Sequence, residues 1–520
     1  MYIDGEVYMG MAGDRKVSMQ LAMCNRHGLI AGASGTGKTI TMKVMAEAFS
    51  DAGVPVFLCD VKGDVSGLAM PGVPSAPMEE RIDRFGIAET FRYKAYPVCF
   101  WDIYQEKGHA LRITVSDMGP ELLSRILALT PAQEGVLNIV FRIADDKGLQ
   151  LIDLKDLRAV LNFVAGHRAE FAAAYGNISA QSVGGIQRAL IPLENQGGEL
   201  FFGEPALDIF DWMRCDSDGK GIVNILHSVK LVTNPVLYAS FLLWMMAELF
   251  ERLPEAGDME KPRLAFFFDE AHMLFDHAPK VLVSKIEQMV KLIRSKGAGI
   301  YFVTQNPADI PDAVLAQLSN RVQHALRAYT PAEQNKVRAA ASSFRKNPDF
   351  KTEDAIMELG VGEALVSFLD KNGVPEIVQR TAVICPQSFM GPVEDTVRAE
   401  AMAGDGMAKY DDYVDNISAY EKLQDQAEME EKQARLEEER AHLEKEKAEF
   451  EKQKAKEEAA ALKKQEKERE AQQRRIERQQ EAEQKKKERA AERRKAQIER
   501  ALISTGTQVL KRGLFKTLFK

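Results

Sequence analysis

The chain has 520 residues, of which 45% are apolar, and a formal net charge of −8 at pH 7. This length predicts more than one structural unit. No apolar run reaches the roughly 18 residues that a membrane-spanning helix needs, and the start MYIDGEVYMG lacks the basic residues and apolar core of a signal peptide. The five cysteines are scattered, which argues against a disulfide framework or a zinc site and favours a cytoplasmic protein.

The charge is unevenly distributed along the chain. Residues 421–500 carry a net charge of +1 and residues 501–520 carry +4, so residues 1–420 carry −13. An acidic body does not present a broad surface for nucleic acid. Any DNA contact is therefore expected to be local, in loops that line a pore or in the tail.

The chain begins with a short alternating stretch, followed by a strand, a loop and a helix. Residues 1–25 predict a hairpin or edge strands. The apolar run 27–31 predicts a buried strand, and residues 40–49 have the apolar spacing of a helix. The loop between them therefore precedes a helix N-terminus, where phosphate groups bind.

That loop reads GASGTGKT and matches the phosphate-binding pattern G-x-x-x-x-G-K-T. Its glycines let backbone N–H groups point at phosphate oxygens, Lys38 reaches the β- and γ-phosphates, and the Thr39 hydroxyl can ligate Mg²⁺. The sequence thus predicts a bound nucleoside triphosphate with Mg²⁺. The predicted nucleotide-binding residues are Gly32, Ala33, Ser34, Gly35, Thr36, Gly37, Lys38 and Thr39.

A turn with the sequence DVKGD follows the short apolar strand 54–59. Ligands of open α/β sheets bind outside the carboxyl ends of the strands. Asp60, Lys62 and Asp64 are therefore predicted near the nucleotide, and a solvated turn is the alternative. Further strands are predicted at 97–101 and 111–115.

Residues 120–215 change character, because helical periodicity dominates and strand signals are few. We interpret this region as a helical insertion within an α/β core. The α/β pattern returns with a strand at 221–226 and a long apolar helix at 235–253.

The run LAFFFDE, residues 264–270, is an apolar strand that ends in two acids. In this Walker B pattern Asp269 would hold Mg²⁺, largely through its waters, and Glu270 would orient or deprotonate the attacking water. Apolar strands that end in acids are common, so the prediction depends on pairing this run with the loop at 32–39.

The strand 299–303 leads into Gln305, a polar amide at the predicted nucleotide edge. This position indicates a sensor of the γ-phosphate, with a satisfied strand-end amide as the alternative. The remaining predicted elements are a helix at 279–296 with a basic end, a strand at 320–326, helices at 331–341 and 353–359, and a hairpin of 364–368 with 377–384.

The tail is a low-complexity run of Glu, Lys, Arg, Gln and Ala over residues 408–500, which predicts a long charged helix. Apolar residues recur every seven positions from 429 to 450, but the second apolar position of each heptad is mostly polar. A solvated helix is favoured over a coiled coil. Residues 501–520 are basic and amphipathic, which suits an anionic membrane surface, a protein groove or nucleic acid, with a frayed tail as the alternative.

The order of these motifs resembles a known family. The motifs come in the order GASGTGKT, DVKGD, LAFFFDEAH, IRSKGAGIYFVTQNP and NRVQHALR. This order is similar to that of the HerA/FtsK superfamily of P-loop ATPases. The stretch NRHGLIAGASGTGKT is similar to the bacterial HerA-like group that includes YjgR. The resemblance spans residues 1–390 and implies a RecA-like parallel sheet flanked by helices, ATP hydrolysis, and a homohexameric ring that translocates double-stranded DNA.

The resemblance also implies roles for single residues. Lys38 and Thr39 match the Walker A lysine and hydroxyl, Asp269 and Glu270 match Walker B, and Gln305 matches the glutamine sensor of the superfamily. Lys38, Glu270 and Gln305 are thus predicted to be catalytic, and Thr39 and Asp269 to hold the metal.

Arg294 matches the position of the family's arginine finger, which would act on the ATP of a neighbouring subunit. A simple cation at a helix C-terminus is the alternative, and Arg321 and Arg327 are rival candidates. The chain departs from the archaeal HerA pattern because only some 26 residues precede the first strand. They are too few for the N-terminal barrel that docks a nuclease there, so we expect no nuclease partner.

These observations predict an ATP-hydrolysing motor of the HerA/FtsK type, helicase-like and ring-forming, that moves DNA or another polymer. The alternative is a nucleotide-switched assembly or scaffold ATPase with slow turnover and no translocation, in which the tail recruits partners. The predicted domains are the first part of the ATPase core at 1–119, the helical insertion at 120–215, the second part of the core at 216–390, the charged helical tail at 391–500 and the basic segment at 501–520.

Overall fold

The structure is a computed structural model that describes residues 1–257, 259–276 and 280–506. Side chains are described over the same ranges except for 276, 280–282 and 501–506. The chain divides into two units, Met1–Asp425 and Gln426–Lys520. The prediction of a basic amphipathic end at 501–520 therefore lies outside the described side chains.

A 13-stranded sheet forms the centre of the first unit. Its strands are β1 (Tyr2–Ile3), β2 (Glu6–Ala12), β3 (Arg15–Gln20), β4 (Gly28–Ala31), β5 (Val56–Asp60), β6 (Val98–Asp102), β7 (His109–Ala110), β8 (Val223–His227), β9 (Leu264–Phe268), β10 (Ala298–Thr304), β11 (Asn320–Gln323), β12 (Glu363–Ser367) and β13 (Gln379–Val383).

Strands from distant parts of the chain lie side by side in this sheet. The order is β1-β2-β13-β12-β11-β4-β10-β9-β5-β8-β6-β7, with β3 paired to β2. All pairs from β11 to β7 are parallel, whereas the pairs among β1, β2, β3, β13, β12 and β11 are antiparallel. The predicted N-terminal hairpin and the predicted hairpin of β12 with β13 are confirmed, and both extend one edge of the parallel sheet.

The helices cover both faces of the parallel strands, as βαβ connections require. They are α1 (Lys38–Asp51), α2 (Ala76–Arg84), α3 (Val115–Ile126), α4 (Pro131–Lys147), α5 (Leu154–Gly166), α6 (Arg168–Tyr175), α7 (Ala180–Leu193), α8 (Glu199–Phe201), α9 (Pro235–Arg252), α10 (His272–Asp276), α11 (Lys280–Ile293), α12 (Asp312–Leu315), α13 (Pro331–Ser342), α14 (Thr352–Glu358), α15 (Asp395–Gly404) and α16 (Ala419–Gly506).

The core is divided by the sheet into two apolar layers. Successive strand residues point to opposite faces, so Leu29 and Ala31 of β4 join the layer that contains α3 to α9, while Ile30 joins the layer under α1. A smaller cluster lies between α13 and α14. The predicted RecA-like parallel sheet flanked by helices is therefore the observed fold.

The region between β7 and β8 contains α3 to α8, and several of these helices begin with capping boxes. Thr114, Thr130 and Asp153 each accept a hydrogen bond from the backbone of the first turn that follows. The strand expected at 111–115 is wrong, because Thr114 caps α3 and the edge strand is β7 instead. The domain boundaries around this region stay a prediction.

The described part of the second unit lies entirely within α16, so the prediction of a long charged helix is confirmed. The helix begins at Ala419 rather than at 408. The apolar residues at its seven-residue spacing, Met429, Leu436, Leu443 and Phe450, are exposed in the single chain. A coiled coil stays a prediction. No helix within the described ranges combines the length and apolar character that crossing a bilayer requires.

Candidate functional site

The loop at 32–39 lies at the carboxyl edge of the parallel strands. The Gly32 backbone N–H donates to the Thr304 carbonyl at 3.2 Å, and that of Ala33 donates to the Ala325 carbonyl at 2.9 Å. The loop is thus fixed by the chain leaving β10 and β11. It ends at Gly37, whose φ of 116° is open to glycine and which directly precedes the first turn of α1.

Lys38 lies inside the curl of this loop. The side chain is buried, and its ammonium donates to the Gly32 carbonyl at 2.7 Å and to the Ala33 carbonyl at 3.1 Å. Burial lowers the pKa of Lys38, and the nearby Glu270 carboxylate partly opposes this shift. The ammonium is therefore held where phosphate oxygens could replace carbonyl oxygens as its partners.

An open cavity of about 570 Å³ borders the loop. Three lysines line it, two from α1 and one from the turn after β5, together with an acidic residue and two apolar residues of later segments. A cavity lined by several ammonium groups suits a polyphosphate. Among its lining residues are Lys38, Lys43, Lys62, Asp64, Val361 and Met390.

Asp269 follows the last residue of β9 and is almost fully buried, with 2% of its surface exposed. Its Oδ1 accepts from the Glu270 backbone N–H at 2.9 Å, whereas its Oδ2 has no hydrogen-bond partner among the described residues. Burial raises the pKa of Asp269 to about 6, although the Lys62 ammonium acts against this shift.

These carboxylates fit a magnesium site. Oδ1 of Asp64 is a second buried carboxylate oxygen without a hydrogen-bond partner in the described part of the chain, and Asp64 lines the cavity. Thr39 lines the same cavity. Hydroxyl and carboxylate oxygens are the protein ligands that Mg²⁺ prefers, usually with several waters retained.

Glu270 is the residue on which three side chains converge. Lys62 Nζ lies 2.7 Å from Oε1, and His272 Nδ1 lies 3.3 Å from Oε2. Gln305 Nε2 donates to Oε2 at 3.3 Å. Burial alone would raise the pKa of Glu270, but the hydrogen bond and charge of Lys62 outweigh it and hold the pKa below its usual value. The carboxylate is therefore charged and positioned by its neighbours.

The DVKGD turn lies beside this carboxylate. Asp60, at the end of β5, accepts from the backbone N–H groups of Gly63 at 2.7 Å and Val65 at 3.2 Å. These bonds shape the turn that presents Lys62 to Glu270. Burial, followed by the charge of Asp64, raises the pKa of Asp60 to about 6.

Arg294 lies far from the nucleotide edge of its own chain. It is exposed in a short turn just before β10, whereas Gln305 follows the other end of that strand. The seven residues of β10 separate them by about 20 Å at the usual rise per residue. The rival Arg321 donates to backbone carbonyls at 3.0 and 3.1 Å, and Arg327 donates to the Leu359 carbonyl at 3.0 Å.

His324 supports the phosphate loop from below and was not predicted from the sequence. Its Nδ1 lies 2.9 Å from the Glu363 carbonyl and its Nε2 lies 2.8 Å from the Thr41 hydroxyl. Burial lowers the pKa of His324 to about 4, so the ring is neutral: Nδ1–H donates to the carbonyl and Nε2 accepts from Thr41. A lone histidine after a strand carries no sequence signal for this role.

The segment 387–391, here called the strap, borders the cavity and is tied to α1. The buried carboxylate of Glu47 accepts from the backbone N–H groups of Gln387 at 2.8 Å and Ser388 at 2.9 Å, and from the Ser388 hydroxyl at 2.6 Å. Lys43 donates to the Phe389 carbonyl. Sequence reasoning missed the strap because its partners are 340 residues apart.

The parallel sheet, the loop around Lys38 and the buried acids after β9 define a P-loop nucleoside triphosphatase with a RecA-like core. Among solved structures, the unbound form of the bacterial conjugative coupling protein TrwBΔN70 is 14% identical with a TM-score of 0.51, over 76% of this chain and 92% of that one. The plasmid coupling protein TrwB in complex with ADP and Mg²⁺ is 13% identical with a TM-score of 0.51, over 76% and 99%. At sequence identities this low, the structural similarity establishes a shared fold and nothing more.

The chain belongs to the family described as helicase HerA-like C-terminal, whose model matches residues 8–519. VirB4 of Thermoanaerobacter pseudethanolicus is also similar, with 14% identity and a TM-score of 0.46 over 74% of this chain and 97% of that one. No curated protein matches the chain. Family membership confirms the resemblance stated from the motifs.

Proposed function

We propose that this protein is an ATP-hydrolysing motor that works as a ring of identical subunits and translocates double-stranded DNA. Lys38 and the loop would bind the triphosphate, and Thr39 and Asp269 would hold Mg²⁺, which neutralises phosphate charge when bound. Glu270 would accept a proton from the attacking water, and Gln305 would hold that carboxylate in place.

The observation that carries this proposal is the convergence of Lys62, Gln305 and His272 on the carboxylate of Glu270, beside a cavity that also contains Lys38. A charged base next to a phosphate-binding loop suits attack by water rather than transfer to a bound small molecule. Nucleotide binding is further supported by TrwB, which is described with ADP and Mg²⁺.

The position of Arg294 favours a shared active site. It is an exposed residue at the end of β10 opposite to the nucleotide edge, so it lies far from its own ATP and at a surface that a neighbouring subunit would contact. An arginine supplied in trans stabilises charge in the transition state of phosphoryl transfer. We infer a homo-oligomer, a hexamer by family resemblance, in which Arg294 completes the neighbour's site.

The DNA part of the proposal is supported by family membership and by relatives described as conjugative and plasmid coupling proteins. It is tested by ATP turnover with and without duplex DNA at low and moderate salt, because phosphate contacts weaken steeply with salt. We expect strong stimulation by DNA. Lys38→Ala and Glu270→Gln should each lower turnover at least about a hundredfold, and undiminished turnover in either would refute ATP hydrolysis at this site.

Mixing two inactive variants tests the shared site. Lys38→Ala chains keep Arg294, and Arg294→Ala chains keep Lys38, so an equal mixture should regain activity at about a quarter of the interfaces in a random ring. Recovery on mixing would support action in trans. If the mixture stays as inactive as its components, Arg294 does not act in trans.

A nucleotide-switched scaffold is the second candidate. The exposed apolar residues at seven-residue spacing on α16, such as Leu436 and Leu443, favour a protein partner for the second unit. In that case turnover would be slow and indifferent to DNA. The partner would then be sought by comparing the proteins that bind to the full-length chain with those that bind to a full-length Leu436→Glu, Leu443→Glu variant, both in the presence of ATP.

A further inference from the structure

Lys62 is a second cation at the phosphate cavity, and its present partner is the carboxylate of Glu270. Its side chain is 44% exposed, whereas that of Glu270 is 8% exposed. Lys62 lines the same cavity as Lys38 and Thr39. The ion pair of 2.7 Å therefore joins a side chain with room to move to one that is held by Gln305 and by burial.

The reach of Lys62 extends to the expected place of the terminal phosphate. A water that Glu270 activates must lie within hydrogen-bond distance of that carboxylate, about 2.6–3.2 Å, and in contact with the γ-phosphorus. The Lys62 ammonium is 2.7 Å from Glu270 Oε1 and lines the cavity that also contains Lys38 and Thr39, so a bound γ-phosphate would share that cavity with it. A lysine on a flexible four-carbon stem can move within this cavity by changing rotamer.

We propose that Lys62 exchanges partners during turnover, leaving Glu270 to bind the γ-phosphate of ATP. The inference rests on the proposed ATPase function and adds a residue that distinguishes a triphosphate from a diphosphate. While Lys62 neutralises Glu270, the carboxylate is a poor base. Once the γ-phosphate draws the ammonium away, Oε1 is free to accept a proton.

The chemical step is attack by water on the γ-phosphate. The oxygen of water forms a bond to the γ-phosphorus, the bond between that phosphorus and the β,γ-bridging oxygen breaks, and ADP leaves. The proton lost by water goes to Glu270 Oε1 and is passed on to the phosphate product. Departure of that phosphate returns Lys62 to Glu270, so the carboxylate is exposed as a base only while a γ-phosphate is present.

The test compares binding of ATPγS and of ADP, each with Mg²⁺, to the full-length protein by titration calorimetry. The variants are Lys62→Met, which removes the cation, and Lys62→Arg, which keeps it. Lys230→Met is the matched control, because Lys230 forms an exposed ion pair of 2.8 Å with Glu106. Melting curves of every variant check that the fold is retained.

Lys62→Met should weaken ATPγS binding about tenfold, as expected for loss of one charge-assisted contact, and leave ADP binding within about twofold. Lys62→Arg should restore most of the ATPγS affinity, and Lys230→Met should change neither. Glu270→Gln releases Lys62, so it should tighten ATPγS binding, and this gain should vanish in the Lys62→Met, Glu270→Gln double variant.

Equal weakening of ATPγS and ADP by Lys62→Met would overturn the proposal, because Lys62 would then shape the pocket without sensing the γ-phosphate. Unchanged binding of both would also overturn it, since Lys62 would then serve only as the partner of Glu270. A failure of the proposed ATPase function would give a different result. The unaltered protein would then bind neither nucleotide, or the Lys38→Ala variant would bind both nucleotides as tightly as the unaltered protein.

Discussion

Gln305 donates from its amide to Oε2 of Glu270 at 3.3 Å, and this bond joins the chain after β10 to the chain after β9. The two strands are neighbours in the parallel sheet. The proposed γ-phosphate sensor is therefore bonded directly to the proposed catalytic base.

We expect Gln305→Ala to lower kcat by roughly ten- to a hundredfold and to change KM little, because a positioning bond is lost while the loop around Lys38 is untouched. Steady-state ATP turnover measures both constants. Gln187→Ala is the matched control, since Gln187 bonds Asn162 at 2.7 Å on α7, away from the site. A raised KM with unchanged kcat would show that Gln305 binds substrate instead.

Glu47→Ala should destabilise the first unit and loosen the strap. The carboxylate is 1% exposed and accepts three hydrogen bonds from Gln387 and Ser388, so its removal leaves buried donors without partners. A loss of about 3 kcal/mol in the free energy of unfolding is expected. Urea denaturation measures it.

The control for Glu47 is Glu79→Ala, because Glu79 bonds the Tyr93 hydroxyl at an exposed position. That change should cost no more than about 0.5 kcal/mol. Glu47→Ala should also weaken nucleotide binding, since the strap borders the cavity. Unaltered stability in Glu47→Ala would contradict the buried network.

Gly32→Ala should abolish nucleotide binding. A Cβ at this position would lie 2.5 Å from Cβ of His324 and 2.9 Å from the Thr36 hydroxyl, so the loop or the histidine must move. Gly135→Ala in α4 is the control, because a Cβ there meets nothing within 4 Å and alanine favours a helix. Titration with ADP and Mg²⁺ should show binding only in the control.

The surroundings of His109 predict that its contribution to the stability of the folded state depends on pH. It is buried at the sheet edge, with Nε2 3.0 Å from an Asp405 oxygen and Nδ1 2.8 Å from an Asp411 oxygen. Burial alone would lower the pKa of His109, but the bonds to Asp405 and then Asp411 outweigh it and raise the pKa above 6.5. The folded state thus binds the proton more tightly than the unfolded state.

A raised histidine pKa stabilises the fold fully below pH 6.5, and the contribution is lost as the pH rises through the folded pKa. His109→Gln should therefore lower the melting temperature most at pH 6, with a cost of about 2 kcal/mol, and progressively less toward pH 10. His167→Gln, at a ring that bonds the Phe163 carbonyl, is the control. A cost that does not change with pH would exclude the charged form.

The class of the protein and its main elements can be predicted from local patterns in the sequence. The spacing of GASGTGKT, the apolar runs before Asp269 and Gln305, and the helical period of residues 120–215 all express local constraints: loop geometry, strand burial and helix amphipathicity. Such constraints act over a few residues, so they can be recognised without knowing which segments meet. The one wrong strand, at 111–115, failed because its apolar pattern also fits a chain that ends in the helix cap Thr114.

Which of these residues contact one another depends on the arrangement of the strands. Lys62 and Glu270 are 208 positions apart and form an ion pair because β5 and β9 are neighbours whose carboxyl ends share one edge. His324 lies beside the phosphate loop because β11 is the neighbour of β4, and the strap after β13 is bonded to Glu47 of α1. Strand order is set by the packing of two apolar layers against the whole sheet. The role of Arg294 stays a prediction from the motif order. Its distance from its own nucleotide edge follows from the length of β10, which is why we propose a site shared between subunits.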